Sequence, residues 1–337
     1  MSLVEQSRRG IRNLIFGDTL LPQEFTVGMA EPHAEIAVWL HGLGSPIDVT
    51  CRHSTACSEP FRVCIAFGEQ EELSERYCRH LSLKFCERDG RRRVLGEIAL
   101  QAREKISLPG LQIWLFAARG AANHCLPPAR LYANYLWQAY CLRRKPSTSG
   151  MTMSFLERRA AMVTFIRPHP VCLGSVVAGI GGNIFPMNLM GDLGDGYLAF
   201  ALKDSRRAAH LVEDAGRMAI SNIPIAHAPF AFQLAVNHFK DSIDWEQLPF
   251  ATVRSATFGI PVPQFAPRIR EVQVERVHRI GSHTLFLARI VHEERLSAEP
   301  ELCVIHGFYQ YWRLRGRSTA LQAALSADAI NKGLCPS

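Results

Sequence analysis

Apolar and polar residues alternate in short runs through the first half of the chain. Such alternation gives a strand one face toward a core and one toward solvent. Short strands separated by turn residues at these intervals are typical of an antiparallel sandwich. The pattern predicts strands at residues 24–29, 36–41, 61–67, 81–87, 93–100 and 111–117.

The second half has strands that are apolar on both faces, with helical segments between them. In the strand predicted at residues 283–292, Leu285 and Leu287 point to one side and Phe286 to the other. This order of elements favours a closed, mostly antiparallel barrel, and the absence of a strand–Gly-x-Gly-x-x-Gly–helix unit argues against a Rossmann domain. Further strands are predicted at 171–177, 197–202, 218–223 and 272–278, with helices at 154–163, 206–215 and 226–239.

The change of pattern near the middle of the chain predicts two domains. Residues 129–142 have the apolar spacing of a connecting helix, and residues 143–150 are basic, then small and polar, as linkers are. We therefore expect a strand-rich, sandwich-like N-terminal domain at 1–145, a barrel domain at 151–320 and a tail at 321–337. The sequence shows no internal repeat, and no catalytic motif indicates a role for the first domain.

Composition describes an ordinary globular protein with a mild excess of positive charge. Of 337 residues, 47% are hydrophobic and 20% are charged, and the formal net charge is +7. The arginines are scattered along the chain and are not interleaved with aromatic residues, so we expect no nucleic-acid partner. Scattered arginines suit an anionic cofactor equally well.

The cysteines and the hydropathy of the chain indicate its compartment. No leader-like segment and no run of about 18 apolar residues is visible, so we expect a cytoplasmic protein without a membrane partner. The ten cysteines are then expected to be reduced thiols. The spacing of Cys51 and Cys57 around His53 fits no standard zinc pattern, so we expect no metal.

The most informative segment is residues 279–291, a polar turn that runs into a strand buried on both faces. Gly281 gives the turn backbone freedom, and Ser282 and His283 lie where the strand begins. A polar turn at the end of such a strand is a common ligand position. The alternative is a simple turn before a core strand.

Four ordered segments resemble the flavin reductase-like family of FMN-binding split barrels. The turn and strand at 279–291 resemble that family's Gly-Asp-His turn, and residues 258–275 its preceding strand. Residues 167–176 resemble its first barrel strand, and residues 181–190 the segment at the flavin edge. The resemblance covers roughly residues 162–315. It implies an FMN-binding split β-barrel, FMN as cofactor, NAD(P)H as hydride donor and a homodimer.

The phosphate of a flavin nucleotide needs cationic donors or a helix start. Lys203, Ser205 and Arg206 follow a predicted strand and open a predicted helix, so backbone N–H groups, a hydroxyl and a guanidinium could meet one anion. The resemblance places the phosphate here. The alternative is a helix cap followed by surface arginines.

The flavin ring needs an apolar wall and a few donors at its edge. The resemblance assigns this role to residues 183–189, and within them to Asn183, Met187, Asn188 and Leu189. The chain departs from the family here, because Pro186 stands where a hydroxyl residue is common and supplies no N–H. The alternative is a glycine hairpin leading into a buried strand.

The resemblance makes His283 the catalytic residue, beside the flavin face on which the nicotinamide would stack, with Ser282 where the family has aspartate. It also brings the C-terminal segment with His306 toward the flavin. We expect an oxidoreductase that passes hydride from NAD(P)H to FMN and then to an acceptor. The alternative is a binding or assembly module that holds flavin without turnover, or haem with His283 or His306 as its axial ligand.

Overall fold

The computed structural model describes residues 21, 24–69, 71, 80–88, 92–143, 153–179, 181–316 and 325–326. The prediction of a mainly β fold is confirmed. Each half of the chain forms a seven-stranded antiparallel sheet, and the sheet of the second half curls as a split barrel does. No helix in this part of the chain combines the length and apolar character that crossing a membrane requires.

Seven of the eight described strands of the N-terminal half form one sheet and not two facing sheets, which refines the sandwich-like prediction. The strands at 24–29 and 36–41 match their predicted bounds, and helix α1 (Pro128–Arg143) connects the halves as expected. The strands are β1 (Glu24–Met29), β2 (Ile36–His41), β3 (Ile47–Asp48), β4 (His53–Ser58), β5 (Phe61–Gly68), β6 (Ser82–Glu87), β7 (Val94–Leu108) and β8 (Leu111–Asn123). Neither β3 nor β4 was predicted from the sequence pattern.

The C-terminal half begins with helix α2 (Phe155–Thr164), whose predicted capping box is confirmed: the Ser154 Oγ accepts from the backbone N–H of Glu157 at 3.2 Å. Its strands are β9 (His169–Pro170), β10 (Cys172–Ala178), β11 (Gly181–Met187), β12 (Met190–Gly194), β13 (Tyr197–Lys203), β14 (Arg217–Asn222), β15 (Thr252–Arg254), β16 (Pro261–Pro263), β17 (Arg268–Ile280), β18 (His283–Arg295), β19 (Glu301–His306) and β20 (Leu325–Ser326).

Three further helices complete this half: α3 (Arg207–Ala215), α4 (Ala228–Gln233) and α5 (Gly307–Gly316). Helix α3 ends at Gly216 in the left-handed conformation, as its sequence predicts. The single helix predicted at 226–239 is wrong. The segment is α4 between two 3-10 turns, Ile225–His227 and Leu234–Phe239. Pro229 lies in the first turn of α4 and lacks an N–H, which explains why the helix begins there and does not continue from residue 226.

The two large sheets have the same strand order. The first reads β3-β2-β6-β7-β8-β5-β4 and the second β11-β10-β14-β17-β18-β13-β12, so each strand of one sheet has a counterpart at the same place in the other. The main difference is the connection before the long hairpin. Residues 88–93 link β6 to β7, whereas residues 223–267 link β14 to β17.

The β-bulges also coincide. In the two long hairpins, one unpaired residue lies in the first strand, Arg103 or Glu275, and one in the second strand, Arg119 or Val291. The edge pairs β4–β5 and β12–β13 each contain one further bulge, at Ala56 and at Leu193 respectively. Because bulges bend a sheet at defined points, the two sheets share their curvature as well as their order.

The two sheets pack against each other through equivalent positions. One apolar cluster combines Ala56, Ile113 and Leu115 of the first half with their counterparts Leu193, Leu285 and Leu287 of the second. An interface built from the same positions of both partners is the mark of two-fold pairing. The chain therefore contains an internal pair of sheets with the same topology.

The first described strand pairs with one near the end of the second half. Strand β1 pairs with β19, with Phe25 opposite Ile305, in a four-stranded sheet of order β20-β1-β19-β9. A large core under the first sheet includes residues of α2 and α5. The predicted linker lies largely outside the described residues, as does the tail except for 325–326, so the domain boundary stays a prediction.

Candidate functional site

The predicted phosphate segment and the histidine turn lie side by side at one end of the C-terminal sheet. Lys203, the last residue of β13, pairs with His283, the first residue of β18. The backbone N–H of Asp204 donates to the Ser282 carbonyl at 3.0 Å, and the Thr284 hydroxyl donates to the Asp204 carboxylate at 2.8 Å. Two segments separated by about eighty residues of chain thus form one continuous surface.

The start of α3 carries positive charge and no capping side chain. Arg206 is the N-cap residue, its backbone is extended, and its side chain makes no cap hydrogen bond. Its guanidinium lies over the ring of Phe239 at 3.7 Å from the centroid, while Arg207 forms an ion pair with Asp241. Ser205 is exposed. The dipole of the helix, the Arg206 charge and the Ser205 hydroxyl all favour an anion at this position.

The hydrogen-bonding groups of the predicted ring-edge segment are largely used by the chain itself. Asn183 is fully buried, and its Nδ2 donates to the carbonyls of Asn237 and Lys240, both at 2.8 Å. Asn237 in turn donates to the Ile184 carbonyl at 2.9 Å, and His238 Nε2 lies 2.7 Å from the Pro186 carbonyl. The segment 234–240 therefore covers β11.

The other three predicted ring contacts differ in how deeply they are buried. Met187 is buried in the core of the barrel. Asn188 and Leu189 are partly exposed on the connection between β11 and β12. The Leu189 carbonyl accepts from the backbone N–H of Ala201 at 2.8 Å, which holds this connection beside the end of β13. Asn188 and Leu189 are thus the members of the set that are not buried, and Leu189 lies beside Ala201, two residues before Lys203.

His283 lies at the contact between the two halves and is only 2% exposed. Its Nδ1 is 2.8 Å from the Ser282 Oγ and 3.6 Å from the Cys57 Sγ, and its Nε2 is 3.5 Å from the Ser58 Oγ. Burial, and next the nearby Lys203, lowers the pKa of His283 to about 4. The imidazole is therefore neutral at physiological pH.

The turn between β4 and β5 closes over the histidine turn. The Glu59 carbonyl accepts from the Ser282 N–H at 2.8 Å, and a Cβ at Gly281 would overlap Pro60 and the Glu59 carbonyl. The N-terminal half thus covers the turn that carries His283, beside which the resemblance places the flavin and its nicotinamide partner. Sequence reasoning missed this cover because β4 was read only for its cysteine spacing.

His306 is not brought to the Lys203–His283 surface by any described contact. It lies in the four-stranded sheet, 3% exposed, and its Nδ1 accepts from the Phe308 N–H at 3.1 Å. Burial lowers the pKa of His306 to about 3. The predicted role of His306 beside the flavin therefore has no geometric support among the described residues.

This chain is similar to flavin reductases and FMN-binding proteins of known structure. The NADH:FAD oxidoreductase of Streptomyces globisporus matches 45% of this chain and 89% of its own at 17% identity, with a TM-score of 0.40. The FMN-binding protein of Thermus thermophilus with bound 1-cyclohex-2-enone matches 38% and 71% at 22% identity, with a TM-score of 0.35. The flavin reductase of the Pseudomonas putida S12 styrene monooxygenase matches 41% and 87% at 20% identity, with a TM-score of 0.34.

No protein-family model matches the sequence, and a search of the curated proteins finds no relative. The resemblance noted in the sequence is thus found again in structure, over part of the chain.

Proposed function

We propose that this protein binds flavin mononucleotide on its C-terminal barrel. The phosphate would lie at the start of α3, held by Lys203, Ser205 and Arg206. The observation that carries the proposal is the placement of these three residues at an uncapped helix N-terminus directly beside the His283 turn. A helix N-terminus with a hydroxyl and two cations offers the donors that a phosphate dianion needs.

The ring would extend from this phosphate toward Asn188 and Leu189. These two residues are accessible and lie beside the end of β13. The Asn188 amide can donate to a polar ring edge, and Leu189 supplies apolar surface. Asn183 and Met187, by contrast, serve the packing of β11 in this arrangement.

Because the first half covers His283, we favour a protein that binds flavin without reducing it over a flavin reductase. A nicotinamide could stack beside His283 only after the turn between β4 and β5 had moved, since that turn is hydrogen-bonded to Ser282. The rate of hydride transfer depends mainly on holding the nicotinamide close to the flavin. If the turn between β4 and β5 fills the nicotinamide position, the reaction loses most of that rate. Turnover with NAD(P)H, and with it an oxidoreductase role for His283, is the second candidate function.

The homodimer and the cytoplasmic location expected from the sequence stay predictions. The internal pair of sheets supplies within one chain the kind of two-fold contact that a homodimer makes between chains.

Titration with FMN and with riboflavin tests the binding proposal. Replacing Ser205 and Arg206 by alanine removes a hydroxyl and a charge-assisted contact, so affinity for FMN should fall by about tenfold or more. Affinity for riboflavin, which has no phosphate, should change little. Arg207→Ala is the matched control, since Arg207 is engaged by Asp241. Equal FMN affinity in the double variant and the wild type would show that the start of α3 does not bind the FMN phosphate.

The same samples separate the two candidate functions. After anaerobic mixing with NADH or NADPH, the absorbance of the bound flavin should persist if the protein is a binding module. Bleaching of the flavin would instead establish the reductase and would require the turn between β4 and β5 to open.

A further inference from the structure

A positively charged cleft lies away from the His283 turn, at the junction of the two halves. It is bounded by residues 30–33 of the first half and by the start of β12 and of β17 from the second. The ionisable side chains that line it from the second half are Arg167, Arg268, Arg270, Arg295, Asp192 and Glu301. Nothing in the resemblance to flavin reductases assigned a role to these arginines.

Arg167 is a buried cation that no described carboxylate touches, although Asp192 of the same cleft acts on its charge from a greater distance. Its side chain is 3% exposed, and no carboxylate among the described residues lies within 4.0 Å of its guanidinium. Its neighbours are two imidazoles: Nη1 lies 3.4 Å from His53 Nε2, and Nη2 lies 3.3 Å from His33 Nδ1. The Nε of Arg167 is buried and has no partner in the described part of the chain.

The two histidines do not neutralise this charge. His53 Nδ1 is 2.6 Å from the Val49 carbonyl, so that nitrogen carries the proton and Nε2 is left as an acceptor. Burial lowers the pKa of His33 to about 3, so His33 is also a neutral acceptor. A buried charge that meets only neutral acceptors is costly, and proteins keep such a group where a ligand completes it.

A second buried arginine lines the same cleft. Arg270 is 3% exposed, its Nη1 donates to Asp192 at 2.9 Å, and its Nε is buried without a partner among the described residues. Two other carboxylates line the cleft: Glu301 accepts from Asn222 at 2.5 Å, and Glu31 of the first half is exposed. Arg268 at the edge is paired with Glu293. The inner cleft therefore has two buried guanidiniums and one carboxylate in direct contact with them.

We propose that this cleft is a binding site for a phosphate-sized oxyanion, held chiefly by Arg167 and Arg270. The cleft, with a cavity volume of about 40 Å³, has room for such a group or a few water molecules. The ligand is free inorganic phosphate or the phosphate head of a larger molecule that extends from the cleft into solvent.

The first half supports this assignment by contrast. Gly96 and Ile98 hold the positions in β7 that Arg268 and Arg270 hold in β17. At Gly96 the space is filled by Val163 and Ile166, whose side-chain atoms would overlap any Cβ there. The shared strand order is thus compatible with an apolar filling, so the arginines are a feature of this cleft and not a requirement of the sheet.

Calorimetric titration of the full chain with inorganic phosphate, in phosphate-free buffer, tests the proposal. The wild type should bind, and Arg167→Met should weaken binding by about tenfold or more, since it removes a charge-assisted contact. Arg289→Met is the control, because Arg289 is an exposed arginine paired with Glu275 on the neighbouring strand. Absence of binding by the wild type, or equal affinity in Arg167→Met, would overturn the assignment.

A second variant and a second probe keep the result interpretable. If Arg167→Met does not fold by circular dichroism, Arg270→Met, which removes the second buried guanidinium, should weaken phosphate binding in its place, and unchanged affinity there would overturn the assignment too. The inference does not depend on flavin binding. Loss of both phosphate and FMN binding in Arg167→Met would assign the flavin phosphate to this cleft and reject its placement at α3. Loss of phosphate binding alone would establish two separate anion sites.

Discussion

The two halves of this chain have the same strand order and the same bulges but different side chains at equivalent places. Where the second half has Lys203 opposite His283, the first has Gly68 opposite Leu111. Where the second has a cationic cleft, the first has an apolar filling beside Gly96. Strand order and curvature therefore do not depend on which residues lie at the strand ends. The polar and charged residues of the candidate sites lie mainly in the second half.

The halves also differ in what covers their hairpin tips. Pro60 and Glu59 of the first half cover Gly281 and Ser282 tightly. The reciprocal contact is looser, with the Tyr197 hydroxyl 3.5 Å from the Pro109 carbonyl. His283 is thus buried because the two halves pack together. Of these two contacts, the one at the turn that carries the candidate site is the tighter.

The largest expected effect on stability comes from replacing a glycine by alanine in the turn of each long hairpin. Gly281 has φ of +55° and a Cβ there would overlap backbone and side-chain atoms of the first half, whereas Gly110 has φ of +76° and nothing within 4 Å. Gly110→Ala should cost about 1–2 kcal/mol, the usual cost of the left-handed conformation. Gly281→Ala should cost about 3 kcal/mol or more, because overpacking is added to that cost.

Urea unfolding of both variants measures this difference. Because the two substitutions are chemically identical, the excess cost at Gly281 reports the contact between the halves. Equal costs at the two tips would show that the first half does not press on the His283 turn in solution.

Local patterns account for the parts of this fold that the sequence predicted. Alternation of apolar and polar residues located β1 and β2, and Ser154 with Glu157 located the start of α2, because each signal lies within a few residues of chain. The cluster of Lys203, Ser205 and Arg206 was also recognisable, since it follows a strand and opens a helix.

The features that sequence reasoning missed depend on contacts between distant segments. The duplication is not visible in the residues, because equivalent positions such as Ile98 and Arg270 share only their place in the strand pairing. The partners of Asn183 come from residues 237–240, and the cover of His283 comes from β4 and the turn that follows it. Strand β4 was missed because its cysteine, two serines and threonine hide the alternation on which the prediction relied.

A smaller effect is expected at Glu271, a buried carboxylate that the first half lacks; the matching position there is Ala99. The Glu271 carboxylate accepts from the Ser255 hydroxyl at 2.7 Å and from the backbone N–H groups of Thr257 and Phe258 at 2.7 and 2.6 Å. It thereby fixes the end of the long connection that only the second half has. Glu271→Gln should cost about 2 kcal/mol, since one acceptor oxygen becomes an NH₂ group facing donors.

The dependence of this cost on pH distinguishes a charge effect from simple packing. Burial acts to raise the pKa of Glu271, but the hydrogen bonds from Ser255, Phe258 and Thr257 together outweigh it and lower the pKa below the ordinary 4.5. The stabilisation is therefore present above pH 4.5 and is lost as pH falls through the lowered value. Urea midpoints should converge for the wild type and Glu271→Gln in acid. Glu104→Gln, at an exposed ion pair, should stay within about 1 kcal/mol at every pH.

The smallest effect at neutral pH is expected from His283→Leu, which gives the second half the residue that the first half has at Leu111. At pH 7.5 the loss of the contact with Ser282 should be offset by better burial, so stability should change by about 1 kcal/mol or less.

In acid the stabilities of the wild type and His283→Leu should differ. Because the folded pKa of His283 is lowered from 6.5 to about 4, the unfolded chain takes up a proton between these values while the folded chain does not. Wild-type stability therefore falls as pH drops from 6.5 to 4, and His283→Leu should lose less over that window. If urea midpoints at pH 7.5 and 5 shift equally in both proteins, His283 is not held neutral by the first half, and the turn between β4 and β5 is open in solution.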